Sequence, residues 1–164
     1  EPSSSRWGQT FRSAVETGAI RPACAAARTL IRQDRAAHVA HEIAPALAAG
    51  RWVLCDRYRA STVAYQSVPG DIDTGLVVAH ARFPRPDLTL LVICDAVLAA
   101  SRRKQRGLPS RFDDARRQAF VPAALEAALA AFGDPYVTID TTALSPSAAS
   151  AAALERVREL GLFA

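Results

Sequence analysis

Residues 53–66 constrain the fold of this chain more than any other stretch. Residues 52–55 form a short apolar run, which is typical of a strand buried on both faces. The run changes at once into Asp56-Arg57-Tyr58, and a helix-compatible segment with the candidate cap Ser61 follows. In open α/β sheets, ligands bind at the carboxyl ends of the strands. This strand end therefore suits an anionic, ring-bearing ligand, although an ordinary strand exit with solvated charges is equally compatible.

The rest of the chain alternates between apolar runs and helical patterns. Two further strands are predicted over residues 88–94 and 136–139, and they end at Asp95 and Asp140. Helices are predicted over 6–16, 21–50 with a kink or split at Pro45, 71–82, 97–106, 113–131, and from Ser145 onward. This alternation indicates an α/β fold with a mostly parallel sheet flanked by helices.

Length and charge narrow the classes of protein that the chain can represent. At 164 residues and 17.5 kDa the chain fits one domain, which we assign to residues 1–164. The net charge of +4 suits phosphate-bearing ligands but is too diffuse to indicate nucleic-acid binding. No apolar run reaches the roughly 20 residues that span a bilayer, so no membrane partner is expected.

Cysteine and histidine spacing gives no metal motif. The three cysteines are odd in number and widely separated, which favours a reducing cytoplasm over a disulfide framework. His38, His41 and Glu42 do not follow the metalloprotease order, so we interpret both histidines as polar helix residues. Arg28 and Arg32 share a helix face with Arg35, and we interpret these two as solvated.

Several motifs, in order along nearly the whole chain, resemble the bacterial thymidylate kinase family. Asp56-Arg57-Tyr58 with Ser61-Thr62-x-Ala64-Tyr65-Gln66 is similar to its signature, and Glu1-Pro2 resembles the end of its Thr-Arg-Glu-Pro segment. The remaining similar segments are 34–39 (acceptor-site helix), 45–53 (approach to the signature), 85–90 (the next strand) and 103–112 (an Arg-rich lid).

The resemblance implies a P-loop nucleoside monophosphate kinase-like fold. None of the eight glycines is followed by Lys, so the phosphate-binding loop of the family is not in this sequence. In the family that loop follows a central first strand, without which two buried strands would have unpaired inner edges. We therefore expect the loop and its N-terminal strand to precede Glu1, and we expect the segment alone to be inactive.

The resemblance implies that the protein transfers the γ-phosphoryl group of ATP to dTMP and that Mg²⁺ is the cofactor. It also implies a cytoplasmic homodimer that contributes to the synthesis of dTTP. Arg57 would bind the acceptor phosphate. Asp56 would orient the residues around that phosphate, or the Mg²⁺ ion and its water. Tyr65 would exclude a ribose 2′-hydroxyl. The acceptor pocket as a whole would include Pro2, Ile31, Arg35, Arg57, Ser61, Thr62, Tyr65 and Gln66.

The resemblance also implies a donor site, built around a lid at about residues 102–113. Arg103, Arg106 and Arg111 would supply charge to the transition state. Arg103 and Arg106 would also bind ATP. Asp140 and Thr141 would contact its adenine ring.

Four positions depart from the family pattern. Ile31 stands where a Phe usually stacks on thymine, and Ile93, Ser110 and Ala128 replace an Asp, an Asp and a Tyr. Two alternatives therefore stay open: a kinase of the same fold for another nucleotide, and a non-catalytic nucleotide-binding protein derived from it.

Overall fold

A computed structural model describes residues 1–67, 71–105 and 115–162, and for residues 115–119 it describes the backbone alone. Two compact units divide the chain. The first unit comprises Glu1–Arg85 and Arg111–Phe132, and the second comprises Pro86–Ser110 and Gly133–Ala164. In chain order the elements are α1 (Arg6–Glu16), α2 (Ala25–His38), a π-helical turn (Val39–Ile43), α3 (Ala44–Ala48), α4 (Arg59–Gln66), α5 (Thr74–Ala81), β1 (Thr89–Ile93), α6 (Ala96–Gln105), α7 (Ala115–Phe132), β2 (Tyr136–Asp140) and α8 (Pro146–Glu159).

Helices α1 and α2 pack through an apolar stripe in the first unit. Phe11 and Val15 of α1 are buried against Ala27 and Ile31 of α2. Phe11 and Val15 are four residues apart in the sequence, as are Ala27 and Ile31, so the two residues of each pair lie on one face of their helix. Helix α4 packs against α7 elsewhere in this unit, and both helices contain fully buried apolar residues.

The long helix predicted over residues 21–50 is interrupted where a proline requires it. Pro45 has no backbone N–H to donate to the carbonyl of His41, so the regular hydrogen-bond ladder cannot pass this point. The chain widens into the π-helical turn immediately before Pro45 and resumes as α3. The helix is therefore split near Pro45, one of the two outcomes that the sequence predicts, and α2 begins at Ala25, later than expected.

Two parallel strands form the core of the second unit. Strand β1 pairs with β2 from Thr89 opposite Tyr136 to Ile93 opposite Asp140. Helix α8 packs on β2. It begins with Ser145 as its cap and Pro146 in its first turn, as the sequence predicts. Parallel strands flanked by helices confirm the predicted α/β class.

The third predicted strand is wrong for the described chain. Residues 51–55 pair with no described strand, and Leu54 is 96% exposed. A short apolar run becomes a strand only when a neighbouring strand takes up its backbone N–H and C=O groups. The cap prediction for Ser61 is also wrong, because α4 begins two residues earlier, at Arg59.

None of the described helices is long and apolar enough to cross a membrane.

Candidate functional site

Arg35 is the centre of a buried polar cluster in the first unit. Its side chain is only 1% exposed. Its Nε donates to Glu1 Oε2 at 2.9 Å, and its Nη2 donates to the same oxygen and to Thr62 Oγ1 at 2.9 Å. A buried guanidinium needs such partners because an unpaired charge is costly to desolvate. The cluster thus joins residue 1, α2 and α4.

His80 and two aromatic rings complete the surroundings of Arg35. Arg35 Nη1 lies 2.7 Å from His80 Nδ1, so a neutral imidazole accepts this hydrogen bond. Burial, together with the smaller effect of the charges of Arg35, Arg32 and Arg82, lowers the pKa of His80 to about 3. The guanidinium also lies 5.0 Å from the ring centroid of Tyr58 and 5.8 Å from that of Phe83.

The segment that contains Pro2 is fastened to α2 through Asp34. The carboxylate accepts from Ser3 N at 2.8 Å, Ser3 Oγ at 2.5 Å and Ser5 Oγ at 2.7 Å. Burial alone would raise the pKa of Asp34, but these hydrogen bonds outweigh burial and lower it. Arg12 donates to the carbonyl of Pro2 at 2.7 Å. The predicted site residue Pro2 is therefore held in a defined position beside the Arg35 cluster.

Helix α4 presents predicted site residues on two adjacent faces. Thr62 and Gln66, one turn apart, are buried, whereas Ser61 and Tyr65 are half-buried. Gln66 is only 4% exposed, yet its Oε1 has no hydrogen-bond partner among the described residues. The hydroxyl of Tyr58 is likewise buried without a partner in the described part of the chain. Such unmet groups are unusual in a folded protein and each requires an explanation.

Arg57 occupies an unfavourable backbone conformation at the centre of the signature. Its φ is +64°, in the left-handed region that costs a residue with a Cβ roughly 1–2 kcal/mol. Its side chain is exposed, and the guanidinium lies 5.3 Å from the ring centroid of Tyr65. Strain of this kind concentrates at functional sites. The structure therefore presents an exposed guanidinium beside an aromatic ring, which is suited to an anion carried on a planar group.

Arg28 is not a solvated residue, contrary to the sequence interpretation. It forms an ion pair with Asp73 at 2.7 Å and donates to the carbonyl of Gln66 at 2.8 Å. It therefore fastens α2 to the end of α4 and the start of α5. A cavity of about 290 Å³ adjoins this ion pair, and its lining residues include none of the predicted site residues.

The predicted donor-site residues that the structure describes lie in the second unit. Thr141 is buried, and its N–H and hydroxyl both donate to the carbonyl of Ile93, at 2.8 and 2.9 Å. Asp140 is exposed and accepts from Thr142, and these hydrogen bonds lower its pKa. Both residues thus secure the carboxyl ends of the paired strands. Arg103 lies in α6, whereas Arg106 and Arg111 lie outside the described residues.

Two parts of the first unit offer metal ligands. Asp56, the predicted metal residue, is exposed and supplies a carboxylate of the kind that Mg²⁺ prefers. Mg²⁺ usually takes only one or two protein carboxylates and completes its shell with phosphates and water, so Asp56 fits that role. Glu1, His38 and Cys55 form a second group, with ligand atoms within 4.8 Å of one another. Burial, together with Glu1, raises the pKa of Cys55.

Sequence reasoning missed the residues that hold the predicted ones in place. Asp34, Arg12 and His80 contact the predicted site segments, and Arg12 and His80 belong to none of the resembling motifs. Asp34 lies within the resembling segment 34–39, so that segment is the one signal that could have indicated it. His80 stands alone in an apolar helix, and nothing in its neighbours predicts a contact with Arg35.

Parallel strands with polar carboxyl ends, together with a buried polar cluster and an exposed guanidinium, define an α/β protein suited to phosphate-bearing ligands. Comparison with protein families makes this specific: the thymidylate kinase family model matches residues 1–148. The chain therefore belongs to the thymidylate kinase family, which is a family of phosphotransferases.

Individual relatives agree with this assignment. The chain is 38% identical over 114 residues to a thymidylate kinase of Xanthomonas campestris pv. campestris (strain B100), covering 69% of this chain and 49% of the relative. It is 37% identical over 117 residues to a probable thymidylate kinase of Pyrococcus abyssi (strain GE5 / Orsay), covering 69% and 57%. The chain thus spans about half the length of the curated relatives it matches.

Proposed function

We propose that this protein transfers the γ-phosphoryl group of ATP to dTMP, giving dTDP and ADP, and so supplies the precursor of dTTP. The residues of the first unit would form the acceptor site, and those of the second unit would contribute to the donor site. The observation that carries the proposal is Gln66. Its buried oxygen lacks a partner among the described residues, and a thymine base offers a ring N–H of the kind it needs.

Recognition of the base would depend on a rigid wall. Thr62 and Gln66 are fixed on α4, and Arg35 holds Thr62 by a hydrogen bond of 2.9 Å. Among the described residues, Glu1, His80 and Thr62 engage four of the five N–H groups of Arg35, and the fifth has no partner there. Arg35 would therefore act mainly by fixing its neighbours. Preorganisation of this kind reduces the entropy lost when a ligand binds.

Recognition of the acceptor phosphate would depend on Arg57. Its planar guanidinium suits two parallel hydrogen bonds to phosphate oxygens. The left-handed backbone places this side chain in solvent beside Tyr65, where an incoming nucleotide can reach it. Tyr65 would lie near the sugar and disfavour a 2′-hydroxyl, and Ser61 and Pro2 would complete the wall.

Phosphoryl transfer brings two anions into line, so charge neutralisation and positioning would provide most of the rate enhancement. Mg²⁺ bound with ATP neutralises phosphate charge, and Asp56 is the residue that would hold it or its water. Arg103, Arg106 and Arg111 would contribute further positive charge, and Asp140 and Thr141 would contact adenine.

Substitution of Gln66 tests the acceptor site. In the full-length protein, Gln66→Leu keeps the approximate volume but removes the hydrogen-bonding oxygen. We expect KM for dTMP to rise about ten- to a hundred-fold, because a buried base N–H then loses its acceptor. Ser13→Ala, at an exposed position on α1, is the control.

A panel of dTMP, dUMP, dCMP and dGMP would be compared in the same phosphoryl-transfer assay. Preference of the parent protein for a nucleotide other than dTMP would favour a kinase of this fold with a different acceptor. Binding of dTMP without any transfer would favour a non-catalytic nucleotide-binding protein. Unchanged dTMP kinetics in Gln66→Leu would remove the main support for the proposed pocket.

A further inference from the structure

Three side chains from separate parts of the first unit converge on one point. Glu1 lies at the start of the described chain, His38 ends α2, and Cys55 precedes the signature. His38 Nδ1 lies 3.2 Å from Glu1 Oε1, and the ligand atoms of all three residues lie within 4.8 Å of one another. His38 and Cys55 are half-buried, whereas the side chain of Glu1 is only 4% exposed, so the group is shielded and is reached from the side of His38 and Cys55.

Each nitrogen and carboxylate ligand in this group has a supporting partner of the kind that metal sites use. His38 Nε2 lies 3.7 Å from Glu42 Oε2, one turn further along the helix. The second oxygen of Glu1 accepts from Arg35 Nε at 2.9 Å, which leaves the first oxygen facing His38. A carboxylate on the far nitrogen of a ligating histidine fixes its tautomer and orientation. At 3.7 Å the contact between His38 and Glu42 is longer than a hydrogen bond, so a small side-chain movement would bring Glu42 into this supporting role when a metal binds.

We propose that Glu1, His38 and Cys55 form a zinc site with three protein ligands and one open position. A thiolate, an imidazole and a carboxylate together favour Zn²⁺ over the hard ions Mg²⁺ and Ca²⁺. Tetrahedral bonds of about 2.0–2.3 Å separate neighbouring ligands by roughly 3.3–3.8 Å, so the group needs only a small contraction. On binding, zinc replaces the thiol proton of Cys55, and that proton passes to solvent.

Zinc binding would change the backbone contacts of the signature, because Cys55 directly precedes it. Cys55 Sγ now lies 3.1 Å from the carbonyl of Arg57 as a thiol donor. A bound zinc ion would replace that contact and tie residue 55 to α2. Its fourth position would accept water or a small anion. The inference stands on these contacts alone and does not depend on the proposed kinase activity.

Cobalt substitution tests the site directly. Co²⁺ added to the purified full-length protein should bind with one-to-one stoichiometry and give a thiolate-to-cobalt charge-transfer absorption. Cys55→Ser should abolish that absorption, and Glu42→Gln should weaken Co²⁺ binding about ten- to a hundred-fold. The matched controls Cys94→Ser and His41→Gln should retain the parent spectrum.

Alkylation of the parent protein gives a second readout that needs no variant. With Zn²⁺ present, Cys55 should become protected from iodoacetamide relative to Cys24 and Cys94 in the same molecule, and EDTA should restore its reactivity. Absence of stoichiometric Co²⁺ binding, a charge-transfer band that survives in Cys55→Ser, or unprotected Cys55 would each overturn the proposal.

Discussion

His80 is a buried histidine surrounded by cations, and its neutral form holds Arg35. Because its pKa is about 3 in the folded protein and about 6.5 when unfolded, the unfolded chain binds more protons between these values. The free energy of unfolding must therefore fall as the pH drops below about 6.5. Above that pH both states are neutral and the effect disappears.

Replacement of His80 should remove this acid sensitivity. Gln can still accept from Arg35 through its side-chain oxygen but takes up no proton. Between pH 7 and pH 5 we expect the parent protein to lose about 2 kcal/mol more stability than His80→Gln. Urea unfolding at several pH values measures the difference, with the exposed His41→Gln as control. Parallel pH profiles for the parent and His80→Gln would show that His80 is protonated in the folded state.

Gly8 allows the first five residues to lie close against α1 and Asp34. A Cβ at this position would lie 2.3 Å from the backbone oxygen of Ser3 and 2.8 Å from Asp34 Oδ1. Gly8→Ala should therefore destabilise the protein, because an overpacking cost of roughly 1–3 kcal/mol exceeds the helix-propensity gain of about 1 kcal/mol. Thermal or urea unfolding measures the change.

Gly75→Ala is the matched control for Gly8→Ala. Its new Cβ would lie 3.1 Å from Asp73 Oδ1, a carboxylate that also caps α5, whereas the new Cβ in Gly8→Ala would meet a backbone oxygen at 2.3 Å; we therefore expect a smaller loss of stability for Gly75→Ala. Stabilisation of the protein by Gly8→Ala would mean that the segment containing Pro2 does not approach α1 as described.

At the level of helices, α1 and α2 share a core that includes a predicted site residue. Ile31 is buried with Phe11, Val15 and Ala27, so its environment is that of a packing residue. Its predicted contact with the nucleotide base stays a prediction. We expect Ile31→Phe to lower the free energy of unfolding by roughly 1–3 kcal/mol, since the larger ring must displace well-packed neighbours.

Gln33→Phe controls for the added ring, because position 33 is exposed on the same helix. Unfolding free energies and KM for dTMP would be measured for both variants. Unchanged stability with a lower KM for dTMP in Ile31→Phe would instead place position 31 against thymine.

The sequence predicted helices well where local signals agree. Ser145 with Pro146 gave the start of α8, and Pro45 gave the interruption after α2, since both depend on neighbouring residues alone. The strand predicted over residues 52–55 was wrong because strand formation depends on a partner strand that local sequence does not specify. The interpretation of Arg28 as a solvated residue was wrong for a related reason. Its partners Asp73 and Gln66 lie about forty residues away, and its spacing alone is typical of a solvated helix face.

Candidate site residues were predicted by resemblance more than by local chemistry. Thr62 and Arg35 do meet, at 2.9 Å, and Arg57 does adopt a strained backbone. Their roles as ligand contacts stay predictions. His80 and Asp34 were missed because a residue that supports a site needs only to fit its neighbours, and those neighbours come from distant parts of the chain.

At the scale of the whole molecule, the thymidylate kinase family assignment extends over most of the chain. The family model covers residues 1–148, and it includes the segments that carry Arg35, Arg57 and Gln66. The described residues that were predicted for the acceptor site belong to the first unit, and those predicted for the donor site belong to the second. Because the chain spans about half the length of its curated relatives, the proposed activity, substrates and homodimer have to be tested on the full-length protein.

Steady-state phosphorylation of dTMP by the full-length protein and its Arg57→Ala variant tests the central claim most directly. Loss of a charged hydrogen bond to phosphate should reduce kcat/KM for dTMP by about ten- to a hundred-fold. Arg51→Ala, at an exposed arginine outside the signature, should keep the parent value. A kcat/KM for Arg57→Ala within about twofold of the parent, which corresponds to well under 1 kcal/mol, would contradict the account.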